Sequence, residues 1–321
     1  RSHTWKDDRT IIDYLTGAVE RQKNIRILFS TPALSLKVDE GGAVTGVVTR
    51  GGVIHGRKVI LASGGFAASR ELLARYIPKA VGIPFPGHFG STGDGLRIGM
   101  AVGAATENLG AFQPFPTYIA PFDCEVRPDV AVLGGILVDQ QGKRFIDESQ
   151  FPGGIGAKML ELPGKQAYEV FDEKIYQSNR TDLAHVAATG MLEKGESGGE
   201  LARKLGIDPE GLEGTIRNYN SAVAGGQDAF GRILKAPMSP PFYGVKVWVA
   251  LYHTQGGLKV NTHAQVLRPD GTVIPNLYAG GGVATGVSGS GPEGYLPGNG
   301  LLAALGLGRI AGEHAAESGG K

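Results

Sequence analysis

Glycine in this sequence is concentrated where apolar runs end. Between Tyr252 and Glu313 the chain reads Tyr-His-Thr-Gln-Gly-Gly-Leu, a hairpin pattern, Asn-Leu-Tyr-Ala-Gly-Gly-Gly, then Gly-Tyr-Leu-Pro-Gly-Asn-Gly and a last helical pattern. Gly256 and Gly257, just after His253, let backbone come close to something flat beside a polar side chain. Gly280, Gly281 and Gly282 repeat the device after a short apolar strand. Gly298 and Gly300 open the last helix, whose first N–H groups are unpaired and carry partial positive charge. Three such loops within about sixty residues predict a large planar anionic ligand lying across a sheet edge.

Glycine accounts for 52 of the 321 residues, well above the usual ~7%, yet forms no repeat or low-complexity tract. Paired glycines at the ends of apolar runs argue for tight turns and ligand loops rather than disorder. The length allows a large core and two domains. A net charge of +1 without a basic block argues against nucleic acid as a partner. Cys124 is the only cysteine, so neither an internal disulfide nor a cysteine metal cluster is possible. It reads as a small buried or loop residue. No apolar run approaches the ~18 residues of a membrane helix and no signal peptide is visible. A cytoplasmic protein without a membrane span is the expectation.

Periodicity predicts a helix over Thr10–Gln22, a strand over Ile25–Phe29, a hairpin from Leu34 to Thr49 and a buried strand over Val59–Ala62. Arg70–Tyr76 and Asp94–Gly103 read as helices, with Asp94 placed to cap the second. From Phe112 onward Pro114, Pro116, Pro121 and Pro128 interrupt the pattern. A hairpin over Ile136–Asp147, a helix over Glu210–Ala224, a linker over Pro237–Pro241 and a closing helix over Leu301–Ala316 follow. His263 and His314 read as solvated.

The motif order resembles the fumarate reductase/succinate dehydrogenase flavoprotein family, which includes ketosteroid dehydrogenases and tricarballylate dehydrogenase. Besides the loops after Tyr252, the resemblance rests on Ile60-Leu-Ala-Ser-Gly-Gly-Phe66, Ser91-Thr-Gly-Asp-Gly95 and Gly135-Ile-Leu-Val-Asp-Gln-Gln-Gly-Lys-Arg-Phe145. Arg1-Ser2-His3 matches a segment that enters the flavin site. The resemblance implies an α/β fold with α+β features: a Rossmann-like FAD-binding domain over 1–112 and 247–321, with an α+β capping domain inserted at 113–246. Its N-terminal strand, Gly-x-Gly-x-x-Gly turn and helix are not found before Ile60. Gly289-Ser-Gly-Pro-Glu-Gly294 has the spacing but no leading strand, and Pro292 interrupts it. The expectation is therefore a C-terminal fragment, or one piece of a nicked or split protein.

By the same resemblance, FAD contacts fall on Ser63, Gly64, Gly65, Thr92, Gly93, Asp94, Gly256, Gly257, Gly281, Gly282, Gly298, Asn299, Gly300 and Leu301. His253 matches the histidine that hydrogen-bonds substrate beside the flavin; a core histidine is the alternative. Tyr295 stands where fumarate reductases carry a carboxylate-binding arginine, and the following Leu-Pro-Gly-Asn-Gly is nearer the ketosteroid pattern, in which a tyrosine donates to a ketone oxygen. A packing tyrosine at a helix entrance is the alternative. Thr254, Phe115 and Gly294 are the further substrate contacts, and Tyr118 is a candidate base. Phe115 replaces a carboxylate-binding histidine and Pro152 falls where the proton-donating arginine is expected. Pro128 and Ala131 replace the proton relay. Gly282 replaces an acidic residue or Asn on the ribityl chain, so either FAD is held more weakly or backbone substitutes.

These implications point to an FAD oxidoreductase acting on a CH–CH bond beside a carbonyl, with His253 and Tyr295 polarising that carbonyl. The partners are a small-molecule substrate and an unidentified electron acceptor or donor. A non-catalytic flavin-binding scaffold and a cofactor-free truncation remain open alternatives.

Overall fold

The computed structural model describes residues 11–223, 225–234, 236–291, 295–296 and 298–318. Helix α1 (Ile11–Glu20) comes first, then the antiparallel meander β1 (Ser35–Val38), β2 (Val44–Thr49) and β3 (Gly52–His55). Strand β4 (Val59–Leu61) leads through a glycine turn to α2 (Arg70–Tyr76) and α3 (Asp94–Ala101). Ser69 caps α2 by accepting from the Leu72 N–H. The short β5 (Thr106–Glu107) precedes β6 (Phe112–Ile119), β7 (Cys124–Glu125), α4 (Asp129–Leu133), β8 (Ile136–Val138) and α5 (Pro152–Met159). Next come β9 (Gln166–Asp172), α6 (Glu173–Ser178), α7 (Arg180–Ala188), β10 (Glu193–Gly195), α8 (Gly198–Leu205) and α9 (Pro209–Val223). The chain ends with β11 (Phe242–Thr254), β12 (Gly257–Leu258), β13 (Gln265–Leu267), β14 (Val273–Ala279), α10 (Asn299–Leu302) and α11 (Gly308–Glu317).

Two features of this mixed helix–sheet fold position the site. The first is a parallel pair. Leu277, Tyr278 and Ala279 of β14 lie against Val59, Ile60 and Leu61 of β4, and both strands run out into glycine turns on the same side. The carboxyl ends of parallel strands are where open α/β sheets bind ligands. The second is β11, which belongs to two neighbourhoods. Its first half pairs with β9, from Phe242 opposite Asp172 to Trp248 opposite Gln166. Its second half pairs with β6, and the register shift between Leu251 and Thr254 delivers His253 and Thr254 to the parallel pair.

Apolar burial follows this division. Phe66, Leu72, Leu96, Leu251, Leu258, Leu277 and Val283 fill one core around the parallel pair. The β8–β9–β11 sheet has apolar cores on both faces, one around Phe171, Met159 and Val247, the other around Tyr168, Leu201 and Leu212. A charged cluster pins the second region. Arg144, with a side chain 7% exposed, contacts Glu148 at 2.6 Å and Asp228 at 2.5 Å. Arg232 contacts the same Glu148 at 2.8 Å and donates to the Ala131 and Gly135 carbonyls at the end of α4.

Several sequence expectations change here. Residues 25–29 are not a strand: no strand lies beside them among the described residues, and all are exposed. Helix α1 forms, but none of its residues is buried. The Ile136–Asp147 hairpin is reduced to β8 and a single bridge from Val138 to Arg144, because the Arg144 side chain turns into the charged cluster. Asp94 does not cap α3; the cap position is Gly93, and Asp94 is the first helical residue. The closing helix is interrupted by a wide π turn over Ala303–Leu307, where Gly306 and Gly308 weaken α propensity. His314 is not simply solvated: it stacks on His263 at 4.6 Å and bonds the Tyr278 hydroxyl at 2.9 Å. Cys124 is free and half-buried, and burial pushes its thiol pKa up.

Glu169 on β9 is fully buried, and neither carboxylate oxygen has a partner. Desolvation, then repulsion from Glu148, pushes its pKa up to about 8. Because the folded pKa lies above the unfolded ~4.3, folding stability falls as pH rises from ~4.3 to about 8 and levels off beyond. Glu169→Gln should remove that slope and stabilise the protein above pH 8, by at most about 5 kcal/mol. Chemical denaturation at pH 5 and pH 9 tests this; parallel pH dependences for the two proteins would refute it.

Candidate functional site

The floor of the site is the pair of turns that follow β4 and β14. Thr254, 1% exposed at the end of β11, accepts the Phe66 N–H through its hydroxyl at 3.1 Å. A Cβ on Gly65 would sit 2.3 Å from that hydroxyl, so Thr254 and the Ser63–Gly65 turn are in close contact. Gly282 presses on the same turn from the other side, and a Cβ there would lie 2.7 Å from the Gly65 nitrogen. Any side chain at Gly282 therefore requires this turn to move. The Ser63 hydroxyl accepts the Gly95 N–H at 3.1 Å, and the Gly93 N–H donates to the Gly65 carbonyl at 3.0 Å. These bonds lace Gly93 and Gly95 to Gly65 and Ser63.

Gly256 and Gly257 continue this floor. A Cβ on Gly256 would lie 2.0 Å from the Asn108 carbonyl, and one on Gly257 would lie 2.4 Å from the Val283 carbonyl. Helix α10 faces them. The Asn299 carboxamide, 3% exposed, accepts the Val287 N–H at 3.1 Å and so holds the preceding loop. Gly300 meets His253, whose Nε2 is 3.4 Å from where a Cβ would stand. Leu301 is largely exposed.

His253 and Tyr295 come together: their rings lie 6.0 Å apart at 68°. The Nδ1 of His253 contacts the Thr254 carbonyl at 3.1 Å. A carbonyl only accepts, so Nδ1 carries a proton and Nε2 of the neutral ring keeps its lone pair. Burial lowers the His253 pKa, more than the Thr254 contact raises it. Burial raises the Tyr295 pKa, opposed by a hydrogen bond from the Gly298 backbone. Imidazole and phenol are thus both held neutral.

Phe115 and Tyr118 join a different group. Phe115 stacks on Tyr252 at 4.6 Å, and Tyr118 meets Tyr252 edge-on at 6.5 Å. Among the described residues neither makes a ring contact with His253 or Tyr295. The Tyr118 hydroxyl donates to Asp123 at 2.5 Å; burial first, then this carboxylate, pushes its pKa well up. Tyr252 donates to Glu125. Gly294 and the Arg1–His3 segment lie outside the described residues. Gln255, 3% exposed just after β11, was not singled out in the sequence. Gln255 lies within the Tyr252–Leu258 motif, but its burial has no local sequence signal. Among the described residues no group of three or more His, Cys, Asp or Glu could hold a metal ion, and no helix is long and apolar enough to cross a membrane.

A family model described as FAD binding domain matches residues 1–301. The fumarate reductase (cytochrome) of Shewanella frigidimarina is 32% identical over 304 residues, 92% of this chain and 52% of that protein. The open conformation of a flavocytochrome c3 fumarate reductase superposes with a TM-score of 0.75 at 30% identity, covering 97% of this chain and 56% of that one. The 3-ketosteroid-delta4-(5alpha)-dehydrogenase of Rhodococcus jostii RHA1, solved with 4-androstene-3,17-dione, gives 0.71 at 27% identity, covering 91% and 60%. The chain thus spans roughly half to three fifths of the length of these relatives.

The residues present fit a flavin. Gly65 and Gly256 pack bare backbone against Thr254 and Asn108, Gly300 lies against His253, and the start of α10 offers N–H groups to an anionic ring edge. Of these glycines, Gly256 is the least replaceable, because a Cβ there meets backbone. Gly256→Ala should cost about 1–3 kcal/mol or more. Gly300→Ala meets only the His253 ring and should leave the thermal midpoint nearly unchanged while perturbing the site. Thermal melts of both variants decide this, and equal losses would contradict it.

Proposed function

From its membership of the FAD-binding domain family, to which this chain belongs and which makes FAD its cofactor, we propose an oxidoreductase acting on a CH–CH bond beside a carbonyl. The substrate in this reading is a small organic or steroid-like ketone. The observation that carries it is the His253–Tyr295 pair at the start of α10, in which Tyr295 is buried, His253 is half-buried and Gly300 lies against the His253 ring. Residues 1–112 and 247–321 make the FAD domain, and 113–246 the cap. The outer edge of β4, unpaired among the described residues, supports a sheet completed by a further strand.

FAD, when bound, supplies the hydride acceptor. The Tyr295 phenol, kept protonated by burial, donates to the substrate carbonyl and stabilises the developing enolate. His253 takes a different part from the polarising role first expected. With its proton on Nδ1, neutral His253 presents Nε2 as an acceptor and serves as the base. Tyr118, tied to Asp123, lines the cap with Phe115 and Tyr252, and the exchange partner for electrons is left open.

Tyr295→Phe keeps the ring and removes the donor. On the full-length holoprotein it should slow ketone-dependent flavin reduction by ~10²–10³ with little change in thermal midpoint. The acid limb of the pH–rate profile should belong to His253 and vanish in His253→Gln. An unchanged reduction rate in Tyr295→Phe would remove the phenol from the chemistry, and a flavin that no ketone reduces would indicate a scaffold.

Fumarate should be a poor substrate. Phe115, Pro152 and Tyr295 offer no imidazole, proton-donating guanidinium or second cation to a dicarboxylate, and Pro128 and Ala131 carry no proton. Stopped-flow oxidation of the reduced full-length protein by fumarate should be negligible; rapid turnover would reverse this assignment.

A further inference from the structure

Helix α5 packs Gly156 against the Pro114 carbonyl of β6. Half a turn away, Gly154 and Lys158 line a cleft of about 500 Å³. None of its lining residues belongs to the glycine loops or to the His253–Tyr295 pair. Ile146, Ala157 and Leu160 supply an apolar floor, and Phe151, 63% exposed, stands beside them. Gly154 leaves room, since the nearest atom to its Cβ position is the Gln150 Oε1 at 3.4 Å. A concave, mostly apolar space of this size with a few polar groups is the form that small-molecule sites take.

Lys79, in the turn Pro78–Ala80 after α2, brings a distant part of the chain to the same cleft. Its main chain is fixed by Lys165, whose Nζ donates to the Lys79 carbonyl at 2.8 Å and the Val81 carbonyl at 3.3 Å. Lys165 holds φ at 52°, a conformation that a residue with a side chain keeps only where its surroundings impose it. Lys158 pairs with Glu161 at 2.6 Å. Lys158 is also the main cause that holds the Glu161 carboxyl below the usual carboxylate range, and Lys79 the least. Lys79 itself has no ion-pair partner among the described residues. The cleft therefore carries one positive charge in excess beside an apolar floor. We propose that it binds an organic monoanion with a flat apolar body, the carboxylate on the Lys79 ammonium and the ring against Phe151. An uncharged molecule would leave the ammonium unused, an inorganic anion would leave the floor bare, and a dianion would meet Glu161.

The test titrates the full-length protein with 2-naphthoate and with 2-naphthamide, which has the same body without the charge. Calorimetry at low ionic strength and thermal melts give the readouts. One equivalent of naphthoate should bind and raise the thermal midpoint, because it links α5 to the Pro78–Ala80 turn. It should be preferred over the amide about fivefold, the scale of a well-placed exposed ion pair, and added salt should erase the preference. Lys79→Met keeps the apolar stem and should bind both compounds equally. Phe151→Ser should weaken both. Native protein that binds neither compound, or both equally, overturns the proposal. So does a preference for naphthoate that survives Lys79→Met, which would place the anion elsewhere.

Discussion

The site depends on one contact with no spare room, the Thr254 hydroxyl against Gly65. It joins the end of β11 to the turn after β4, while Gly282 closes on that turn from the end of β14. Three chain segments far apart in sequence are thereby held within a few ångströms. None of the three positions works through flexibility. Gly65 and Gly282 are bare because the neighbouring atoms already occupy the Cβ positions, and Thr254 stands where a hydroxyl can satisfy a buried N–H. Close packing of this kind leaves bare backbone, rather than side chains, along these turns.

The buried charges do other work. Arg144 and Arg232 share Glu148, and Asp228 completes the pairing, so no charge in the cluster is isolated. Such a cluster need not exceed an apolar core in stability, but losing one member strands the rest. It ties the segment after β8, the turn near Asp228 and the end of α4 into one body. The Lys143-Arg144-Phe145 motif is thus a structural pin, and the arrangement explains why the hairpin expected there stops at β8.

Much of this was legible in the sequence because local pattern and tertiary demand agree. Arg70–Tyr76 is amphipathic, capped by Ser69, and forms as read. The meander and β4 follow the alternation of Leu34–Thr49 and the apolar run at Val59. The glycine turns were visible because an apolar strand followed by paired glycines has few other uses. What failed was long-range. The apolar run at 25–29 has strand composition but no strand beside it. The Tyr118 hydroxyl is held by Asp123, five residues on, a pairing the sequence reading did not include. Gln255 gave no signal, because the absence of a partner is a property of the folded neighbourhood and not of the chain.

Burial acts in opposite directions on the two groups at the helix entrance, and that opposition is useful chemistry. Desolvation disfavours whichever form is charged, so it raises the Tyr295 phenol and lowers the His253 imidazole. Near neutral pH one group therefore keeps a proton to share, while the other keeps a lone pair. The Thr254 carbonyl decides which nitrogen holds that lone pair, by fixing the proton on Nδ1. The residue whose hydroxyl locks the floor of the site thus also sets, through its main chain, the tautomer of its neighbour. An exposed His–Tyr pair would have neither property.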